Sequence, residues 1–394
     1  MDTIGALETF DSLLDTHELV KLASEFAKVP TGVPLGFETY VDPTDPQLVR
    51  YIGEVVAPEL SRDGRLAQID CRPYGIVAQL GSGGSPAILV QSYAISQHHQ
   101  LMEDPYSGRV ADERVWGRGM SQSKGHQAAM VAVLRALLRT QSDLRGTLFW
   151  SINAEARSSH KCTTAILEQL PVTPDFCLLQ TPTSLRVSLG NRGRVDVAVT
   201  IEGTASHSST PGAGAGAIEG ARRVMNRIAE LSWLEAGHPL LGQRQAVVYK
   251  MQFDPVAPHT LPARAELTVD RRLLPGDDPD AAVVELREWI GEMPPYRVTV
   301  EGAETMLPVI VDPDDAHVRI LTDILRRVRP DADPTFYAPG TFDAGATDSR
   351  GIPTVMFGAR GGVWPLGPDF VAIDDLRAEA RVLGTFLLTT LGSH

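Results

Sequence analysis

Apolar residues recur at helical spacing through residues 10–28, with Leu13, Leu14, Leu19, Leu22 and Phe26 predicting one amphipathic helix that "PTGVP" at 30–34 ends. A second helix is expected from about Pro46 to Leu60. The runs "RLAQIDCRPYGIVAQLG" and "PAILVQSYA" then predict strands on either side of the Gly81–Gly84 turn. The stretch 123–140, "SKGHQAAMVAVLRALLRT", gathers Ala, Met and Leu on one helical face. It leads into an apolar strand, "GTLFWSINAEA", whose polar end begins at Asn153, then a helix over 160–169 and the strand "DFCLLQTPT". Strands alternating with helices predict an α/β fold: a mostly parallel sheet sandwiched by helices on both faces. Such sheets bind ligands beyond the carboxyl ends of their strands. Here those ends are Tyr93–Gln97, Asn153–Ala156 and Gln180–Thr183.

The pattern changes in the middle of the chain. "RGRVDVAVTIEGTASH" alternates polar and apolar residues as a strand with one exposed face does. Around it, "AIEGARRVMNRIAEL" and "DAAVVELREWIGEM" read as helices, and "QAVVYKMQFD", "ARAELTVDRRLLPG" and "YRVTVEG" as strands. Two strand–helix–strand units form a small α+β two-layer domain inserted in the first. The expected division is 187–303 for the insert and 1–186 plus 304–394 for the main domain. The tail returns to helix–strand–helix and is expected to complete the main sheet.

Composition narrows the classes of function. The chain has 394 residues, too many for one core, so two domains are expected. With 43% hydrophobic and 22% charged residues it reads as a globular protein, and no apolar run reaches the length of a membrane span. A formal charge of -13 argues against nucleic acid as a partner. Three cysteines (Cys71, Cys162 and Cys177) without a CxxC pair suggest reduced thiols in a cytoplasm and no thiolate zinc site. The opening "MDTIGALETFDSLLD" shows no signal-peptide pattern.

Six short blocks, in order, carry a resemblance. They are "DPYSGRVADERVWGRGMSQSKG" (104–125), "NAEARSS" (153–159), "QTPTS" (180–184), "TASHSSTPGAGAGAIEGA" (204–221), "HTLPARAELTVDRRLLPG" (259–276) and "GIPTVMFG" (351–358). Together they resemble the aminoacylase, glutamate carboxypeptidase and succinyl-diaminopimelate desuccinylase family of two-zinc peptidases and amidohydrolases. The resemblance implies a zinc-peptidase-like main domain, an inserted dimerisation or lid domain, and a homodimer formed through it. It also implies five zinc ligands. Their positions are held here by Tyr93, Gln122, Ala156, Thr181 and Leu366. None is a ligand of the usual imidazole, thiolate or carboxylate kind, and a pair of divalent cations needs such groups to offset its charge. No metal and no other cofactor is therefore expected, the chain reading as a divergent member that has lost its zinc ligands. A rebuilt site using His98, His99, Glu103, Asp104 or His126 is the alternative.

The same resemblance assigns the remaining candidates. Glu155 aligns with the family's general base; beside "FWSI", desolvation is expected to raise its pKa and suit it to proton transfer. His207 aligns with a histidine that reaches across the dimer to polarise a carbonyl. Arg272 aligns with an arginine that grips a substrate carboxylate, a bidentate task for a guanidinium. His259 stands where the family has asparagine, and Gly340–Thr341 resembles its substrate-contacting loop. Tyr93, Gln122 and Thr181 are expected to form a neutral hydrogen-bonding cage for a substrate group. Lys124 is expected at a helix start in a structural role. The leading expectation is a metal-independent enzyme acting on an amide-like or acylated amino-acid-type molecule with a carboxylate. Hydrolysis, acyl transfer and cyclisation all remain open, specialised metabolism is a natural setting, and a non-catalytic binding or partner subunit is the competing class.

Overall fold

A computed structural model describes residues 2–32, 41–97, 102–140, 144–155, 159–231, 237–362 and 367–392. The chain opens with two helices, α1 (Thr3–Leu13) and α2 (Thr16–Ala27), where one was expected. Leu14 turns to extended backbone and Asp15 caps the second helix, its carboxylate accepting the Glu18 N–H at 3.0 Å. The cap wins because an Asp side chain satisfies a donor that a continuous helix would take for itself. The expected 46–60 helix is three joined pieces, Pro46–Arg50, a wider π turn at Tyr51–Val56, and Ala57–Ser61.

Next come β1 (Ala67–Asp70), β2 (Gly75–Gly81), β3 (Ala87–Tyr93), α3 (Gly125–Arg139), β4 (Thr147–Asn153), α4 (Lys161–Leu167), β5 (Phe176–Gln180) and β6 (Val187–Asn191). The middle of the chain supplies β7 (Gly193–Glu202), α5 (Ala217–Ala229), β8 (Gln245–Asp254), β9 (Arg264–Leu273), α6 (Pro279–Ile290) and β10 (Arg297–Met306). The tail adds α7 (Ala316–Val328), β11 (Thr354–Phe357) and α8 (Ile373–Leu391).

Two compact units emerge. The first comprises 1–190, 310–337 and 343–394; the second comprises 191–309 and 338–342. The first holds most of a nine-stranded sheet, seven of whose strands run β1-β2-β4-β3-β5-β11-β6, with the short strands Val309–Ile310 and Thr335–Ala338 both pairing with β6. The central pairs, β3 with β4, β3 with β5 and β5 with β11, are parallel. The β1–β2 and β2–β4 pairs are antiparallel, so β4 separates β2 from the β3 that follows it in sequence. Every residue of β3, β4 and β5 is buried, as expected of strands covered on both faces. Each fully buried large side chain there, such as Phe149 or Trp150, contributes about 2 kcal/mol of apolar burial.

The second unit is a four-stranded antiparallel sheet, β8-β9-β7-β10. Along β7, Val195, Val197, Val199 and Ile201 point into one core with residues of α5 and α6, while the alternate residues face outward. The period-2 pattern of this strand and the continuous apolar runs of the first unit thus encode one-sided and two-sided burial.

Among the described residues no helix is long and apolar enough to cross a membrane.

Candidate functional site

The parallel strands of the first unit all point their carboxyl ends the same way, and four expected residues gather there. Tyr93 closes β3, Glu155 follows β4, Thr181 follows β5, and Gln122 lies in the π turn Met120–Lys124 before α3. All four are buried, Glu155 to 1% exposure. The Tyr93 carbonyl accepts from the Gln127 side chain at 2.9 Å, and Gln127 is itself held by the Tyr51 hydroxyl at 2.6 Å. The Tyr93 hydroxyl lies 3.5 Å from the Thr181 hydroxyl.

The turn bearing Gln122 is clamped from both sides. Asp369 accepts the backbone N–H groups of Gly119 at 2.6 Å and Ser121 at 3.0 Å. Gly119 adopts φ 92, and a Cβ there would meet the Ser96 hydroxyl at 2.2 Å, so only glycine fits. Lys124 is fully buried, donates to the Val29 carbonyl, and lies 5.7 Å and 5.3 Å from the Tyr51 and Tyr106 ring centroids. Desolvation pulls its ammonium down to about 7, against the attraction of Asp369.

Tyr93, Gln122 and Thr181 are neutral oxygen and amide groups, and the buried carboxylates of this end of the unit are Glu155, Asp343 and Asp369, the last accepting the Gly119 and Ser121 N–H groups. Among the described residues no three His, Cys, Asp or Glu side chains come together as a metal-binding group. That donor set does not fit a pair of zinc ions, whose charge needs anionic and imidazole ligands. Ala156 and Leu366, at two of the family's ligand positions, lie outside the described residues, as do His98 and His99 of the alternative site. The other alternative ligands are dispersed: Glu103 and Asp104 are exposed, and His126 is sealed inside the protein.

His126 belongs to a buried network that the sequence did not reveal. Its Nε2 lies 3.0 Å from the Ser121 carbonyl, an acceptor only, so Nε2 donates. Its Nδ1 lies 2.8 Å from the Glu379 carboxyl. Glu379 also accepts the Ala359 N–H and the Gln180 amide, both at 2.9 Å. Gln180 in turn takes the Ser92 hydroxyl at 2.6 Å, and Ser92 takes the Trp150 indole N–H at 3.0 Å. The chain of bonds runs under the strand ends and supports the Gln122 turn from below.

A second histidine–carboxylate pair stands at the strand ends themselves. His160, the N-cap residue of α4, places Nδ1 2.6 Å from Asp343 Oδ1. Asp343 is fully buried, and its other oxygen takes the Thr163 hydroxyl and the Gln91 amide, the latter at 3.2 Å. The Asn153 amide donates to Thr163 at 2.6 Å, tying the pair to the end of β4. Burial pushes the Asp343 carboxyl up, while His160, Thr163 and Gln91 oppose that shift. Neither residue was expected from sequence. The one signal was His160 opening a helix five positions after Glu155.

Burial pushes the thiols of Cys71, Cys162 and Cys177 up to about 11, 12 and 12, which leaves no thiolate nucleophile here.

The remaining expected residues belong to the second unit and form two groups. Arg272 donates to Asp270 at 2.8 Å and to the Thr341 hydroxyl at 2.6 Å, while the Gly340 carbonyl accepts the Arg192 N–H at 3.1 Å. The arginine and the glycine-rich loop are thus in contact. His207 and His259 are exposed, with ring centroids 6.0 Å apart. The Ser209 N–H donates to His207 Nδ1 at 3.2 Å, which puts the proton of the neutral ring on Nε2.

Residues 189–297 match the family model of the peptidase dimerisation domain. The chain is 28% identical over 185 residues to the uncharacterised protein YgeY of Escherichia coli (strain K12), covering 47% of this chain and 46% of that one. It is 29% identical over 147 residues to succinyl-diaminopimelate desuccinylase of Gluconobacter oxydans, covering 34% and 38%. The chain thus spans about half the length, or less, of these curated relatives. The solved structure of the dipeptidase Dug1p from Saccharomyces cerevisiae superposes with a TM-score of 0.78 at 13% identity, over 99% of this chain and 98% of that one.

Proposed function

We propose that this chain, which has the M20 peptidase fold with its dimerisation domain inserted, acts on an acylated amino acid or dipeptide-like molecule bearing a carboxylate, and does so without a divalent metal. The carrying observation is the donor set at the strand ends: neutral Tyr93, Gln122 and Thr181 with the buried carboxylate of Glu155, while the other buried carboxylates nearby are engaged, Asp343 by His160, Thr163 and Gln91 and Asp369 by the Gly119 and Ser121 N–H groups. Glu155 moves the proton, and the neutral groups hold a carbonyl or amide where the fold family places cations. Within the second unit, Arg272 beside Thr341 is suited to bind a carboxylate, and the exposed His207 and His259 to donate hydrogen bonds. The working form is a homodimer through the inserted domain. Val247, Tyr249, Met251 and Phe253, all exposed on the edge strand β8, support that reading.

Magnitudes select the reaction. One positioned acid–base group contributes roughly 10²–10⁴-fold, whereas enzymes reach about 10⁶-fold or more. Without metal, an easier step than hydrolysis of an unactivated amide fits best, such as acyl transfer or cyclisation of an activated acyl group.

The test is elemental analysis of chelator-treated protein, followed by a panel of N-acyl amino acids, dipeptides and their activated esters. The expected result is less than one metal per chain, turnover that persists, and its loss in Glu155→Gln with ligand binding retained. About two zinc per active chain, or full activity in Glu155→Gln, overturns the reading. A ligand that binds and is never converted makes the chain a binding protein.

A further inference from the structure

We propose that His160, aimed by Asp343, is a second acid–base group of the same reaction site, working alongside Glu155. This rests on the reading that the strand ends are where chemistry occurs.

Position is the first argument. His160 opens α4 directly after β4, where ligands meet a parallel sheet. Cys162, on the first turn of α4, lies against the Glu155 backbone, so this turn packs on the segment carrying the first acid–base group. Geometry is the second. The 2.6 Å contact from Nδ1 to a buried carboxylate fixes the ring orientation and the tautomer, and leaves Nε2 as the basic nitrogen of the neutral imidazole. Asp343 is itself immobilised by Thr163 and Gln91, which come from α4 and β3, so the ring is held by a rigid frame. Exposure is the third. The His160 side chain is 15% exposed while Asp343 and both members of the His126–Glu379 pair are at 0%. A carboxylate buried to orient a partly open imidazole has the form of a proton-transfer device, with Asp343 as the positioning residue.

Two such groups divide the work. As the oxygen of the attacking water or alcohol bonds to the acyl carbon, one group takes its proton. As the bond to the leaving group breaks and carries off the electron pair, the other returns a proton to it. For an aryl ester, water and ester give acid and phenol; the proton gained by one group then passes through solvent to the group that gave one up, which restores both to their starting forms.

p-Nitrophenyl acetate tests this on the chelator-treated full chain, read as nitrophenol release. His160→Ala and Asp343→Asn are expected to lose about tenfold or more in kcat with KM little changed, a modest claim on the range of acid–base catalysis. Added imidazole is expected to restore His160→Ala, which a merely structural role would not allow. His17→Ala, an exposed histidine of α2, is expected to match wild type and sets the surface background. His160→Gln, which keeps a hydrogen-bond donor, guards against loss of folding. Wild-type turnover in His160→Ala, or a loss that imidazole leaves unrestored in a folded protein, overturns the proposal. If Glu155→Gln is dead on the substrate panel while His160→Ala is unaffected here, this inference alone fails. If Glu155→Gln keeps full activity, the reading beneath it fails whatever His160 does.

Discussion

Two histidine–carboxylate pairs of the described residues have a fully buried carboxylate, His126–Glu379 and His160–Asp343, and they differ in the exposure of the ring. His126–Glu379 is closed on every side, with both ring nitrogens facing acceptors and both carboxylate oxygens taking backbone or amide donors. His160–Asp343 sits at the mouth of the parallel sheet, its carboxylate buried and its ring partly open. Burying an ion pair is seldom the cheapest way to fill a core, since desolvation offsets most of the attraction. The sealed pair makes sense as a brace: it fixes the Ser121 carbonyl and with it the turn that presents Gln122. The open pair makes sense as chemistry. The same two residue types therefore suit a scaffold or a reagent according to whether the ring is wholly enclosed or partly exposed.

The largest effect expected from this contrast is on the sealed side. Glu379→Ala leaves the Ala359 N–H, the Gln180 amide and the His126 ring without their acceptor in a dry interior. Breaking one half of such a pair costs about 3–5 kcal/mol. Urea unfolding followed by tryptophan fluorescence checks it. A double variant, His126→Leu with Glu379→Leu, is expected to lie closer to wild type than the two single losses added together. An unchanged midpoint in Glu379→Ala removes the brace from the account.

Neither pair was legible in the sequence, and the reason is separation. His126 and Glu379 are 253 positions apart, and His160 and Asp343 are 183 apart. What the sequence does display is periodicity and local order. The apolar runs Ile88–Val90 and Leu148–Trp150 announce strands covered on both faces, and the alternation through Val195–Ile201 announces a one-sided sheet. Tyr93, Gln122, Glu155 and Thr181 were named through the family resemblance; local pattern contributed the strand ends beside which Tyr93, Glu155 and Thr181 stand. The division of α1 from α2 was missed because Leu13, Leu14 and Leu19 keep helical spacing across a break that Asp15 alone enforces. A single cap outweighs a periodic stripe there.

A smaller, pH-dependent effect concerns Lys124, two residues before His126 and equally enclosed. Its folded pKa is near 7 against the ordinary 10.5. Between those values the unfolded chain binds more protons than the folded one, so this group makes stability rise with pH across that window. Below pH 7 both states carry the proton, and the full penalty of burying the ammonium remains. The slope from one proton is at most about 1.4 kcal/mol per pH unit. Wild type minus Lys124→Met, compared by urea midpoint at pH 7 and pH 9, is expected to shift in favour of wild type at the higher pH. A difference independent of pH means that Lys124 keeps its charge through partners strong enough to offset its burial.

The smallest expected change is the one that separates the two pairs most sharply. His160→Gln keeps an amide donor for Asp343 on a ring position already partly open to solvent, so its cost to stability is expected to stay below about 1 kcal/mol. The same substitution at His126 meets no open side. A glutamine there cannot serve the Ser121 carbonyl and Glu379 together in the ring's geometry, and the Gly358 backbone packed against the ring leaves a void when the ring goes. His126→Gln is therefore expected to cost several times as much as His160→Gln, in parallel unfolding curves under one buffer. Equal losses make His160 a second brace, and then the tenfold fall in ester turnover expected of its variants has no separate cause. Unequal losses, with the stable variant the inactive one, place scaffold and chemistry on different histidines.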